Sequence, residues 1–277
     1  MPTTYAHYRL GQEIRTRVKE KERRRIDAYP ELFDIGLHGP DILFYYKPLF
    51  SDPVSQLGHI MHRRMGREFF TRAAGVVRTH KSQEAHLSYV YGVICHFSLD
   101  ALCHAYIAEK MEKSGISHAE IESEFDRELM VIDGLDPVRH RLTGHLTVSN
   151  ENAEIISDFY RGIEAKQVKR AVRSMKFYTD ILTAPSKIKR SIIHTLLRLA
   201  GKYDELQGMM ISYEKNPKCE DSTKKLMELY DESVGTAVRL IDEYGNYLEG
   251  TAPLDSMYRY TFSGAVTPEE NTASEGK

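Results

Sequence analysis

Apolar residues recur at helical spacing along nearly the whole chain. The last long stretch shows it clearly, with one apolar face formed by Leu226, Leu229, Val234, Ala237, Val238, Ile241 and Tyr244. Alternating runs of Val, Ile and Thr between turn residues, which are typical of half-buried strands, do not occur in the sequence. The pattern therefore predicts an all-α fold, a single multi-helix domain.

Eight helices are predicted, and glycine and proline mark several of their ends. The predicted ranges are 10–28, 54–79, 83–113, 118–132, 150–163, 165–183, 187–200 and 221–248. Gly115 can end the third helix, and Ser117 with Glu120 forms a capping box that begins the fourth. Four prolines divide residues 29–53. Because proline removes a hydrogen-bond donor and restricts the residue before it, this segment is predicted to be a loop-rich connection.

Composition limits the compartment and the partners. The 277 residues include 38 Lys and Arg against 40 Asp and Glu, so a net charge of −2 gives no bulk attraction to nucleic acid or anionic membranes. The longest uncharged apolar stretch, residues 85–99, is shorter than a span of about 18 residues, and no transmembrane segment is predicted. The first residues lack the pattern of a secretory signal, so the expected location is cytoplasmic.

We assign residues 1–263 to the helical domain and 264–277, which hold little that can be buried, to a disordered tail.

The strongest chemical signal lies in the third predicted helix. His96, Asp100 and His104 are each four residues apart. On a helix they advance only about 40° per step and form one polar stripe. The residues between them are largely apolar, so the stripe is expected to be buried, which is costly unless each group is paired or binds a metal. Two interpretations follow: a hydrogen-bonded ladder without metal, or a metal site.

Three further residues, two with a carboxylate and one with an imidazole, are candidate metal ligands. His118 and Glu122 are also four apart, a spacing that lets one pair chelate an ion and that also occurs in ordinary surface pairs. Asp41 follows Gly39 and Pro40 in a constrained loop, where Asp commonly serves as a turn or capping residue.

The histidines are concentrated in the first part of the chain, with nine of the 12 in residues 1–118. His59 and His62 lie three apart early in one predicted helix, and the spacing does not choose between them. His7 stands alone near the N-terminus, where a histidine can be incidental. The sequence therefore places any chemistry in the N-terminal half.

The types of side chain among these candidate metal ligands limit the class of reaction. Imidazoles and carboxylates without a thiolate suit Zn²⁺ with an open coordination position, although Mn²⁺ or Fe could also be held. The sequence contains no HExxH of a zinc protease, no GxxxxGK[ST] phosphate loop and no adjacent His-Asp pair. The Glu-x-x-His pairs of helical di-iron sites are missing from the candidate helices.

The order of these residues, together with the segments TYAHYRLG, GLHGPDILFYYKPL and HFSLDALCH, resembles the zinc-dependent phospholipase C family, in its cytoplasmic bacterial branch. This family shares its fold with the fungal zinc nucleases. The matching motifs span residues 4–126. The resemblance implies a trinuclear zinc cleft between helices. One zinc would be bound by Asp41, His59, His96 and Asp100, a second by His104, His118 and Glu122, and a third by His7, a bridging Asp100 and the mature N-terminal residue. Asp41 would also be the general base.

Two features set the chain apart from the secreted members. His104 follows Asp100 by four residues rather than six, a spacing that resembles the glycosylphosphatidylinositol phospholipase D branch. The secreted enzymes use an N-terminal ligand, usually tryptophan, and this chain has no tryptophan. Removal of Met1 would leave Pro2 five residues before His7, and we hypothesise that the Pro2 amine and carbonyl complete the third site.

The expected function is therefore a zinc-dependent phosphodiester hydrolase, phospholipase C-like, in which Asp41 acts as base on a zinc-activated water. The expected substrate is a phospholipid or another phosphodiester, with transient contact to a membrane surface. Residues 43–50, rich in aromatic side chains, could form a lipid-contacting lip or belong to the core. A zinc nuclease or nucleotidase, which would act on nucleic acid or nucleotides, is one alternative. A non-catalytic metal-binding helical protein is the other.

Overall fold

A computed structural model describes residues 4–48 and 50–265. Within them the chain forms twelve α-helices, and the pairing of Met65 with Thr261 is an isolated bridge outside any strand. The helices are α1 (Thr4–Arg17), α2 (Glu20–Ala28), α3 (Pro30–Gly36), α4 (Pro53–Arg63), α5 (Gly66–Thr79), α6 (Gln83–Ser114), α7 (His118–Ile132), α8 (Asn150–Ser157), α9 (Ala165–Leu182), α10 (Lys187–Leu199), α11 (Tyr203–Leu206) and α12 (Glu220–Glu249). Short 3-10 helices cover Gly39–Tyr45, Gln207–Met209, Pro217–Cys219 and Ser256–Arg259. The all-α prediction is confirmed.

Two of the predicted helices are each split into two shorter helices in the structure. The helix expected over 10–28 is divided into α1 and α2, because Lys19 is extended with ψ near 156°. The helix expected over 54–79 ends at Arg63 and restarts at Gly66. Here the backbone N–H of Gly66 donates to the carbonyl of Tyr260 at 2.8 Å. The second break therefore lets a C-terminal segment pair with the chain between α4 and α5.

The segment expected to be loop-rich, residues 29–53, is more helical than predicted. Pro30 and Pro53 are the first residues of α3 and α4, and Pro40 is the second residue of a 3-10 helix. In the first turn a backbone N–H has no intrahelical partner, so proline costs nothing there and its fixed φ favours the helix. The prolines in this segment thus begin helices as well as end them.

Helix α6 runs through the core. Gly115 ends α6 with φ of 70°, as predicted, and the Ser117 hydroxyl accepts from the backbone N–H of Glu120 at the start of α7, which is one half of the predicted capping box. The Glu120 carboxylate instead accepts from the side-chain amide of Asn216 at 2.6 Å. Helix α3 crosses α6 so closely that a Cβ on Gly92 would lie 2.3 Å from the carbonyl oxygen of Phe33. By length and composition α6 could cross a membrane, but 78% of its most apolar window is buried inside the protein, as in a core helix.

The C-terminal helices complete the core. Helix α12 packs on α6 through the predicted apolar face, of which Val234, Ala237 and Ile241 are fully buried. A smaller apolar cluster of Ala184, Ile193 and Met210 lies beneath α10. The tail predicted for 264–277 lies outside the described residues except for Gly264 and Ala265.

Candidate metal centre

Five elements bring the candidate ligands together in the N-terminal half. The side chains come from α1 (His7), the 3-10 helix Gly39–Tyr45 (Asp41), α4 (His62), α6 (His96, Asp100 and His104) and α7 (His118 and Glu122). The three residues of α6 share one face of the helix, as their four-residue spacing predicts. The long core helix α6 therefore carries the middle of the site, and the other elements supply its sides.

The first group consists of Asp41, His62, His96 and Asp100, whose ligand atoms all lie within 4.8 Å of one another. Asp41 Oδ1 is 2.8 Å from His62 Nε2 and 3.8 Å from His96 Nε2. Asp100 Oδ2 is 3.2 Å from His96 Nε2 and 3.8 Å from His62 Nε2. Ligands of a tetrahedral zinc, with bonds near 2.0–2.1 Å, stand about 3.3 Å apart, so these separations suit a single ion.

His62 takes the place that the resemblance gave to His59. The two residues lie three apart on α4, and the structure puts only His62 in the group. His59 is exposed, and its ring lies against Phe44 at 4.4 Å between centroids. The geometry therefore favours His62 over His59 as the fourth member of this group. The reason is the way α4 packs on the segment that carries Asp41, which turns His62 inward.

The second group consists of His104, His118 and Glu122. Glu122 Oε1 is 3.1 Å from His118 Nε2 and 3.5 Å from His104 Nε2. Glu122 and His104 lie deep, with side-chain exposures of 2% and 14%, whereas His118 is 37% exposed. This group therefore opens toward solvent on its His118 side.

Asp100 faces both groups. Its Oδ2 points to the first group, and its Oδ1 lies 3.7 Å from His104 Nε2 and 3.2 Å from His7 Nε2. The buried His7 ring lies over the His96 ring, with 4.4 Å between centroids. His7 thus meets the site at the carboxylate between the two groups. Pro2, proposed as a further ligand beside it, lies outside the described residues.

Unpartnered buried atoms show that the residues fit a metal. In the described part of the chain the buried atoms without a hydrogen-bond partner include His7 Nδ1, Asp41 Oδ1, His62 Nε2, both ring nitrogens of His96, and Asp100 Oδ2. Buried polar groups are nearly always hydrogen-bonded, and leaving several unpaired in one place would be costly. Unprotonated imidazole and carboxylate are the ligands that Zn²⁺ prefers beside thiolates. The donor set of the first group therefore fits zinc.

Backbone carbonyls set the orientation of two of the rings. His62 Nδ1 donates to the Gly58 carbonyl, and His104 Nδ1 donates to the Phe262 carbonyl, each at 2.8 Å. Because a carbonyl can only accept, the proton of each neutral ring is on Nδ1 and the lone pair is on Nε2. Both Nε2 atoms face the carboxylates, as metal-binding histidines do when an outer partner fixes the ring.

Charge pairing shifts the acid–base equilibria of the site. Burial alone would raise the pKa of Asp100, but His104 and His96 bring that pKa well below its usual range. Burial alone would also raise the pKa of Glu122, and His118 brings it well below its usual range. Burial would lower the pKa of His104, and the charges of Asp100 and Glu122 raise it to about 9. The carboxylates attract positive charge, which protons or metal ions can supply.

Close packing around Gly39 positions Asp41. Gly39 has a positive φ of 45°, and a Cβ there would lie 2.4 Å from Cδ2 of His96. Its carbonyl accepts a hydrogen bond from the hydroxyl of Tyr160 at 3.1 Å, and that hydroxyl also contacts the hydroxyl of Tyr89 at 2.6 Å. Only glycine allows this loop to approach the ring so closely.

Sequence reasoning missed Asp126, which anchors the start of α1. Its two carboxylate oxygens accept hydrogen bonds from the backbone N–H groups of Tyr5 at 3.1 Å and Ala6 at 2.8 Å. Asp126 is buried one helical turn after Glu122 on α7. The available signal was an acidic residue four positions after a candidate ligand. Asp126 holds the segment that carries His7 against the helix that carries Glu122.

A third group, His80, His86 and Asp158, was not predicted; His86 lies near the start of α6, and His80 and Asp158 cap the C-terminal ends of α5 and α8. Asp158 Oδ2 is 2.9 Å from His86 Nε2 and 3.4 Å from His80 Nε2. His86 is buried, while the side chains of His80 and Asp158 are 41% and 35% exposed. None of the candidate ligands from the sequence belongs to this group.

The comparisons with known proteins bear on the first part of the chain. Residues 6–174 match the family model described as zinc dependent phospholipase C. Nothing among the curated proteins and nothing among the solved structures matches the chain. The matched range includes every residue of the first two groups and ends before α10.

Proposed function

Because the chain belongs to the zinc-dependent phospholipase C family, we propose that it is a phospholipase C-like hydrolase that cleaves a phosphodiester at the centre built around Asp100. One observation carries the proposal. Two groups of imidazoles and carboxylates, joined by Asp100, meet in a region where six buried atoms lack hydrogen bonds. The family names zinc as the metal and phospholipid as the substrate class.

Asp41, His62, His96 and Asp100 would hold one zinc, and His104, His118 and Glu122 a second. His7, with Asp100, is the candidate for a third. When bound, the ions would lower the pKa of water, neutralise the phosphate oxygens and stabilise the leaving alkoxide.

Asp41 is the proposed base. Burial would raise the pKa of Asp41, but His96 and His62 outweigh it and keep the carboxyl below its usual pKa, hence ionised at neutral pH. Its side chain is 12% exposed, so it can accept a hydrogen bond from a water that enters the cleft. A carboxylate whose pKa lies below its usual value is a weak base, so it orients the attacking water more effectively than it removes the proton completely.

The aromatic run after Asp41 is only partly available to a lipid. Tyr45 and Tyr46 are buried, at 6% and 8% exposure. Phe44 packs against His62 at 5.0 Å between ring centroids, and Phe50 is 72% exposed. Phe50 is thus the residue of this run that we propose for contact with lipid, with Phe44 lining the wall of the first group.

The test is hydrolysis by zinc-loaded protein of a phospholipid, a phosphodiester analogue and single-stranded nucleic acid, each compared with the Asp41→Asn variant. We expect release of a phosphorylated head group from the phospholipid and loss of that activity in the variant while bound zinc remains. Full turnover in the variant would contradict the role of Asp41. Preference for nucleic acid would favour a nuclease. Bound zinc without turnover on any substrate would favour a metal-binding protein.

A further inference from the structure

Helix α10 presents an apolar stripe to solvent. Ile188, Ile192, Leu196 and Leu199 are 74%, 55%, 60% and 81% exposed. Their spacing of four, four and three residues puts all four on one face of the helix. Contiguous exposed apolar surface of this kind marks interaction sites in soluble proteins.

The stripe is not the face that holds α10 on the protein. Ile193 is buried in the small cluster with Ala184 and Met210, and Leu197 packs against that cluster. Arg190 donates to the carbonyl of Ile211 at 2.6 Å, which fixes the base of the helix. The helix is therefore packed on one side and apolar on another that is mostly exposed.

The charged residues of α10 and its flanking residues are all basic. Residues 185–202 contain five Lys and Arg, namely Lys187, Lys189, Arg190, Arg198 and Lys202, and no Asp or Glu. The whole chain, in contrast, has a net charge of −2. An exposed apolar face flanked by basic residues is the pattern of a helix that lies in the interface of a bilayer containing anionic lipids.

The place of α10 connects this face with the metal centre. A cavity at the base of α10 is lined by Arg190 of that helix and also by Thr4 of α1 and Tyr45 of the 3-10 helix Gly39–Tyr45. Thr4 is three residues before His7, and Tyr45 is four residues after Asp41. The base of α10 therefore shares a cavity with two elements that carry candidate ligands.

We propose that the exposed face of α10 binds the surface of bilayers that contain anionic phospholipid. The inference rests on the proposed function, in which a phospholipid is the substrate, and it gives that site a docking surface beyond the range matched by the family. The apolar stripe enters the boundary between head groups and acyl chains, and the exposed basic residues Lys187 and Arg198 beside it contact the lipid phosphates.

The experiment is co-sedimentation of the full chain with phosphatidylglycerol vesicles and with phosphatidylcholine vesicles. The test variant is Ile192→Glu with Leu196→Glu. Its matched control is Val131→Glu with Ile132→Glu, two residues on α7 that are each 53% exposed. Both variants gain the same charge and lose similar apolar area, and thermal unfolding verifies that each is folded.

We expect the wild-type chain and the control to bind phosphatidylglycerol vesicles with similar affinity, and the test variant to bind at least about tenfold more weakly. Binding should weaken on phosphatidylcholine and in high salt. Equal binding by the two variants, or no binding by the wild-type chain, would overturn the inference. A wild-type dimer in sedimentation velocity that the test variant loses would assign the face to a second copy instead.

Hydrolysis of a soluble short-chain substrate separates this inference from the proposed function. If the soluble substrate is cleaved but vesicles are not bound, the docking surface alone is wrong. If vesicles are bound through α10 but neither substrate is cleaved, the proposed function is wrong and the surface stands.

Discussion

Replacing Gly39 with alanine tests whether close packing of the 3-10 helix on α6 builds the metal centre. The new Cβ would lie 2.4 Å from Cδ2 of His96. Ordinary contact begins near 3.4 Å, so the loop or the ring must move by about 1 Å. The displacement acts on Asp41, two residues further along, and on His96, which both belong to the first group.

The expected loss of stability has two parts. Alanine at a φ of 45° costs about 1–2 kcal/mol for the left-handed backbone. Relief of the overlap with the ring adds about 1–3 kcal/mol, the usual cost of overpacking a core. Gly115→Ala is the matched control, since Gly115 has a φ of 70° with open space around its Cβ position and should show the backbone cost alone.

Urea unfolding and zinc content measured on both variants separate these contributions. We expect Gly39→Ala to lose more stability than Gly115→Ala and also to bind less zinc, while Gly115→Ala keeps its zinc. Under the proposed function, hydrolysis by Gly39→Ala should fall about 100-fold, because displacements near 1 Å are costly to catalysis. Equal stability loss in the two variants with normal zinc content would refute the reasoning.

Three further predictions follow from the same contacts. His62→Gln should lower zinc content and His59→Gln should not, as measured by elemental analysis, and the reverse result would restore His59 as the ligand. Asp126→Ala should cost about 2–4 kcal/mol in urea unfolding, because two buried backbone N–H groups lose their acceptor, and an unchanged midpoint would contradict this anchoring role. Gly92→Ala should destabilise by at least about 1–3 kcal/mol, since its Cβ would meet a backbone oxygen, whereas Gly75→Ala on an open helix surface should stabilise slightly. Calorimetric scans that rank these two glycine variants the other way would contradict the packing of α3 on α6.

Local signals in the sequence were sufficient for the helical class and for several helix ends. The cap at Ser117 and the left-handed Gly115 depend on residues within one turn, and the sequence contains them. The break between α4 and α5 depends on Tyr260 and Thr261, almost 200 residues away in the chain. No local pattern could predict that pairing.

In the candidate site, too, some features follow from local sequence spacing and others depend on tertiary packing. The stripe of His96, Asp100 and His104 follows from helical periodicity, so the side chains could be placed on one face before the structure was known. The choice between His59 and His62 depends on which face of α4 meets the 3-10 helix, which the spacing of the two histidines leaves open. That choice required the tertiary packing.

The central claim is that the residues around Asp100 hold zinc. Its most direct test is metal content per chain, measured by elemental analysis on protein prepared without chelators or a His tag, with His96→Ala and His118→Ala alongside. We predict about two or three zinc ions in the wild-type chain and a partial loss in each variant, since one histidine belongs to each group. A folded wild-type chain without bound metal would contradict the account and leave the buried histidines and carboxylates as a network of ion pairs.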